Sequence, residues 1–397
     1  MSSIPQDQAK FEKAFSWWKI ALAVLLGLAI ASWMMYRSLN QTQFIPVENQ
    51  SGSYVWVGNS ETPNLSNAAE FQLQENGDYE LDTIGNTLRN IHWTSSSYFW
   101  LLAAILGMVG RDFFYIVRIR ILTKKSLSWY RSTIVILLWE FASALSPGVV
   151  GGAAVAMFIL NREKIPLGRS TAIVIITAFM DNLFYIVMIP FVFLFIQPSV
   201  LFPSSMESSQ SVEMVFWTGF AIILVVCLFL FLTLFFLPKL ATQFLKRVFS
   251  LPFLTKWKPK AIQTGEDLEI AAIELKQEKS KFWISTFMAT LASWISRYLV
   301  INFILNAFLE LRFIDNIVLL GKQLVLWLFM LVSPTPGASG VAEYAFGELL
   351  ATFSASTILI ASLAILWRLI SYFPYLFIGA FILPKWLKKT KESRTSN

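Results

Sequence analysis

Residues 316–352 read NIVLLGKQLVLWLFMLVSPTPGASGVAEYAFGELLAT, an apolar run interrupted by SPTPGASG at 333–340. Proline lacks a backbone N–H and glycine favours non-helical backbone, so Pro334, Pro336, Gly337 and Gly340 together end a helix instead of bending it. Two helical limbs are left, meeting at a turn inside an apolar segment. Irregular backbone at membrane depth is tolerated only where protein or a water-filled cavity surrounds it. The stretch therefore predicts a buried tip within an integral membrane protein. Residues 132–160 repeat the arrangement, with SPGVVGG (146–152) at the break.

Composition points the same way. Of 397 residues, 56% are hydrophobic and 14% charged, and the mean hydropathy is +0.58. The apolar residues fall in runs long enough for a hydrocarbon core of roughly 30 Å. A single cysteine, Cys227, excludes an intrachain disulfide. The lone histidine, His92, argues against a His-based metal site and against a His-dependent triad within the spans. No cofactor or metal is called for. The net charge of +7 comes from residues beside the spans, where cations orient a membrane protein; nucleic-acid binding is not indicated.

Residues 37–96 carry seven acidic and two basic residues, which reads as the outer side. Within them FQLQENGDYELD (71–82) has Asn76-Gly77 between alternating apolar residues, the signature of a two-residue β-hairpin. Residues 97–117 return inward to a loop with Arg118, Arg120, Lys124 and Lys125. Both flanks of 132–160 are basic, so that segment enters and leaves by one face. Residues 170–197 cross outward and 214–237 back, to a stretch (239–281) with nine basic and five acidic residues. Its beginning, LATQFLKRVFSLPFLTKWKPK, mixes aromatics with cations and predicts a segment lying on the membrane surface. Residues 282–309 go out, 316–352 re-enter from outside, and 355–383 return to a basic tail. Ahead of all these, the run Ile20–Tyr36 reads as a retained first span, although Ala29-Ile30-Ala31 resembles a signal cleavage site.

The expected fold is therefore an all-α polytopic membrane protein, with about six full spans, two re-entrant broken hairpins and a small external β module. Its divisions are 1–36 (cytoplasmic N-terminus and first span), 37–96 (β module), 97–197 (first membrane repeat) and 198–281 (linking span and basic loop). The second repeat covers 282–384 and the tail 385–397, with both termini cytoplasmic in a cell membrane. The repeats run in opposite senses. Displaced by 187 residues, Ser146-Pro147 falls on Ser333-Pro334 and Asp181 on Arg368. Inverted repeats with paired broken helices are a signature of secondary transporters, whose site forms at the midplane.

Ionisable residues inside spans default to function. Arg368 and Asp181 are the deepest, and opposite charges at repeat-related positions predict that they share a cavity and pair. Arg297, Lys322, Glu140 and Glu343 form a second group that either lines the cavity or satisfies frayed backbone. Arg111-Asp112 reads as a local pair nearer an interface. After Pro336-Gly337 and around Gly340, freed backbone N–H groups and the helix dipole are suited to an anion.

PTPGASGVAE (334–343), followed downstream by Arg368 and Tyr372, resembles the lysylphosphatidylglycerol synthase transmembrane-region family, also described as flippase-like domain proteins. SPGVVGGA and FMDN resemble its first-half motifs. This chain departs there: Gly152 or Ala153 stands where an acid is expected, and the Arg before Asp181 is missing. The resemblance covers about residues 97–385. It implies translocation of a phospholipid or lipid-linked headgroup, with an anionic membrane lipid as the expected substrate. The synthase domain of the best-known relatives has no counterpart in the 14 residues after the last span. The chain is thus expected to move a lipid and not to make one. Three other readings stay open: a membrane-embedded transferase acting on a lipid phosphate, a small-anion or proton-coupled transporter, and a scaffold recruiting a partner through residues 37–96.

Overall fold

The computed structural model describes residues 43–395 except 48, 49, 60, 61, 92, 147, 203–208, 252, 253 and 334, with scattered positions between 25 and 40. The expected first span lies largely outside the described residues, as do His92, Pro147 and Pro334.

The β module is a four-stranded antiparallel sheet of β1 (Phe44–Pro46), β2 (Gly52–Trp56), β3 (Phe71–Gly77) and β4 (Tyr79–Leu81), in the order β1-β4-β2-β3. The Asn76-Gly77 hairpin is a correction. β3 and β4 do not pair with each other; both run antiparallel to β2, on its two edges. Gly77 pairs with Gly52, and a Cβ on Gly77 would strike the Tyr54 backbone. The glycine thus serves a close strand approach, with Asn76 at a φ of 59° beside it. Phe71 stacks on Phe44 at 4.0 Å, giving the sheet a small aromatic core. Trp56 and Asn67 donate hydrogen bonds to Glu70 and hold its carboxyl below the ordinary value.

The main elements after the sheet are α-helices. In chain order they are α1 (Ile84–Asn90), α2 (Ser95–Leu122), α3 (Trp129–Leu145), α4 (Gly148–Arg162), α5 (Leu167–Phe193), α6 (Pro198–Leu201) and α7 (Ser209–Phe235). There follow α8 (Pro238–Val248), α9 (Lys258–Leu275), α10 (Ser280–Phe308), α11 (Phe313–Val332), α12 (Val341–Leu350), α13 (Thr357–Ser371) and α14 (Phe373–Thr395). Six stretches among the described residues are long and apolar enough to cross a membrane: 95–122, 167–193, 213–235, 280–308, 313–331 and 357–390. The number matches the expectation but the membership differs, because α11 qualifies by itself. At 1.5 Å per residue α11 is about 30 Å long, whereas α3 and α4 reach only about 25 and 22 Å. The last stretch breaks at Tyr372 (φ −125°, ψ −58°), two residues before Pro374.

Both limb pairs are present as packed helices, α3 against α4 and α11 against α12. The halves interlock. One buried cluster joins the end of α5 to α10–α13, while α14, through Phe373, Leu376 and Trp386, packs into the cluster of α2–α5. The α2–α10 contact is the most extensive between helices. Gly107 permits it, since its Cβ would lie 3.3 Å from the Ser296 carbonyl. By contrast α7 is peripheral: 17% of its apolar window is buried, against 61% for α5.

The sheet is tied to the bundle by Asp82, a buried carboxylate. It accepts from Thr87 Oγ1 (3.1 Å), Ser356 Oγ (3.0 Å) and the Ile358 amide (3.4 Å). Ser356 caps α13 through the Leu359 amide, so Asp82 sits at the positive end of that helix. Asp82→Ala is expected to remove about 1–2 kcal/mol, the scale of a lost helix cap. Limited proteolysis should then cut residues 83–94 faster than in the wild type. Unchanged protection would show that the module is held by other contacts.

Candidate functional site

Four of the six charged residues singled out in the sequence line one cavity of about 340 Å³ between the two halves; Lys322 and Glu343 do not. Glu140 and Asp181 face it from the first half, Arg297 and Arg368 from the second, with Gly337 and Tyr372 at its edge. Arg111, Tyr115 and Arg118 complete the wall from α2.

The expected Asp181–Arg368 pair is not formed. Asp181 Oδ1 accepts from Arg118 at 2.6 Å and from Trp294 Nε1 at 2.9 Å. Arg368 Nε lies 2.7 Å from Glu343 Oε1, off the hydrogen-bonding direction. Its Nη2 donates to the Gly337 carbonyl (2.8 Å) and Ser339 Oγ (3.2 Å). The guanidinium also lies over the Tyr372 ring, 3.9 Å from its centre. The two charges share the cavity, as expected, and each has found a nearer partner.

Arg118 and Arg111 were missed by sequence reasoning. Arg118 was assigned to a cytoplasmic loop, but α2 continues to Leu122 and buries it. Arg111, assigned to an interface, is 2% exposed. It pairs with Asp112 and Glu140, and donates to Tyr375 Oη at 2.7 Å. The available signal was spacing: Arg111, Tyr115 and Arg118 fall at i, i+4 and i+7, one helical face. Both guanidinia lie over Tyr115, at 4.7 and 4.4 Å. Arg118 also supplies from another helix the cation that the sequence lacks just before Asp181.

The second tip differs from the expectation of open amides. Ala338 N donates to Thr335 O, Ser339 N to Pro336 O, Ala342 N to Ala338 O, and Gly340 N to Glu343 Oε2 at 2.6 Å. These groups are satisfied internally, and Glu343 both caps α12 and holds Arg368. Gly337 and Gly340 have φ of 57° and 89°. A Cβ on Gly337 would overlap the Tyr372 ring, whose hydroxyl donates to Ala144 O at 3.2 Å, in the first hairpin. Gly337→Ala is therefore expected to cost about 2–4 kcal/mol from backbone strain and overpacking. A lowered unfolding temperature checks it; wild-type stability would mean that the tip relaxes freely.

Lys322 does not line the cavity. It is buried on α11, and its Nζ has no hydrogen-bond partner among the described residues. Arg297 does line the cavity and makes no ion pair or hydrogen bond among the described residues; it rests over Trp294 at 5.2 Å. The cavity thus holds three guanidinia committed to carboxylates and one that is not. Among the described residues no group of three or more His, Cys, Asp or Glu side chains is arranged to hold a metal.

The family model described as the Lysylphosphatidylglycerol synthase TM region matches residues 79–379. A "UPF0104 membrane protein" of Archaeoglobus fulgidus is 24% identical over 300 residues, covering 74% of this chain and 88% of the archaeal protein. No solved structure matches the chain.

Proposed function

The chain belongs to the Lysylphosphatidylglycerol synthase TM region family of multi-pass membrane proteins, and from that premise we propose that it is a lipid translocator. It takes the anionic headgroup of a phospholipid or lipid-linked intermediate into the cavity, while the tails remain in the bilayer. One observation carries the reading: Arg297 is an uncommitted guanidinium on the wall of a cavity whose other guanidinia are paired. A headgroup phosphate loses its water on entering hydrocarbon and needs a replacement partner. A free arginine supplies one by charge-assisted hydrogen bonds. Trp294 and Trp327, which also line the cavity, offer flat apolar surface beside it.

In this reading α3–α4 and α11–α12 are re-entrant hairpins entering from opposite faces. Residues 37–96 lie outside and both termini in the cytoplasm of a cell membrane, in keeping with the charge asymmetry. The short lengths of α3 and α4 support the first hairpin. Rocking of the interlocked halves then alternates access to the two leaflets. Chemistry on the lipid is not part of the proposal.

The test is reconstitution into liposomes with fluorescent anionic phospholipid in one leaflet. Purified protein should equilibrate the label between leaflets. No transfer across a panel of phospholipids and polyprenyl phosphates, with passage of small anions instead, would replace this reading with solute transport.

A further inference from the structure

We infer that α8 is a docking surface for the anionic headgroup layer of the membrane. The α8–α9 helical hairpin is segregated by charge. Residues 238–262 hold Lys239, Lys246, Arg247, Lys256, Lys258 and Lys260 and no acid, whereas α9 carries Glu266, Asp267, Glu269 and Glu274. The two helices pack closely, since a Cβ on Gly265 would come within 2.6 Å of the Thr242 Cα. Even so, Lys239, Lys246 and Arg247 make no ion pair among the described residues and are exposed.

Large apolar side chains are exposed on and immediately beside the same helix. Phe236, Leu237, Phe244 and Leu251 are each about half exposed or more. A soluble hairpin does not display cations and large apolar groups together without a partner that accepts both, and an interfacial lipid layer does so. Position supports the same partner. α8 starts three residues after α7 ends, and Phe244 contacts Phe229 at 5.3 Å. Hence α8 leans on the candidate span that is least covered by protein. The bilayer that surrounds α7 is continuous with the face α8 presents. Snorkelling lysine and arginine above buried apolar stems suits this depth, and each cation near an anionic surface adds about 1 kcal/mol, roughly a fivefold preference.

The experiment uses the full chain with Cys227→Ser and Phe244→Cys, labelled with an environment-sensitive fluorophore. The protein is placed in vesicles of phosphatidylcholine mixed equally with phosphatidylglycerol. Spin-labelled phosphatidylglycerol should quench the probe several-fold more strongly than spin-labelled phosphatidylcholine. Adding Lys246→Gln and Arg247→Gln should abolish that preference. A probe at Leu73→Cys, on the β module, should show no preference and so reports an intact, oriented protein. Equal quenching by both lipids at position 244 overturns the proposal. So does a preference that persists in the double glutamine variant, or a site shielded in native membranes but open in the vesicles, which would mark a protein partner. None of these outcomes bears on lipid transfer through the Arg297 cavity.

Discussion

Arg297→Ala is expected to slow lipid transfer by roughly 10- to 150-fold, the loss of a charged hydrogen bond of about 1.5–3 kcal/mol. The protein should stay folded. Arg297 is partly exposed and has no carboxylate to abandon; only its place over Trp294 is lost, at about 0.5–1 kcal/mol. Arg297→Lys keeps the charge but not the fork of donors, and should restore part of the rate. Transfer and thermal unfolding measured on the same preparations separate the two effects. Wild-type transfer by the alanine variant would remove Arg297 from the site.

Arg368→Gln is expected to act on the fold instead. It strands Glu343, itself 3% exposed, as a buried charge and withdraws the donors of Gly337 O and Ser339 Oγ. Breaking a buried pair from one side costs about 3–5 kcal/mol. Glu343→Gln in the same chain should recover much of this, giving a clear coupling energy in a double-mutant cycle. Asp181→Asn combined with Arg368→Gln should be nearly additive, because those residues pair elsewhere. Little coupling between 343 and 368 would contradict the geometry of the tip.

The contrast between these variants also marks what the sequence disclosed. Breaks at Pro-Gly clusters are local backbone chemistry, so both tips could be read directly from 146–152 and 333–340. Apolar runs and loop charges are also local, and gave the helical architecture. Charge pairing is not local. Asp181 and Arg368 align at an offset of 187 residues in the sequence, yet their partners are Arg118 and Glu343, brought near by a helix arrangement that this alignment does not reveal. Arg118 falls just outside a span ended at residue 117, although the helix runs on to Leu122. Arg368 stands out by its depth, and that depth goes with its support of the tip; the uncommitted cation on the cavity wall is the less conspicuous Arg297. In the β module, tertiary pairing with β2 overrode the Asn-Gly signal.

The two broken elements are unequal: 17 and 15 residues in α3 and α4, 20 and 10 in α11 and α12. Halves of identical build could exchange shapes and yield two conformers of equal energy by symmetry. Under the proposed alternating access these halves cannot, so one conformer would be the resting state and the other would be visited. In the proposed carrier, without coupling to an energy source, that imbalance would affect haste alone. It lengthens the wait at one face and shortens it at the other, while the final distribution of lipid between leaflets is set by the lipid's own free energy there.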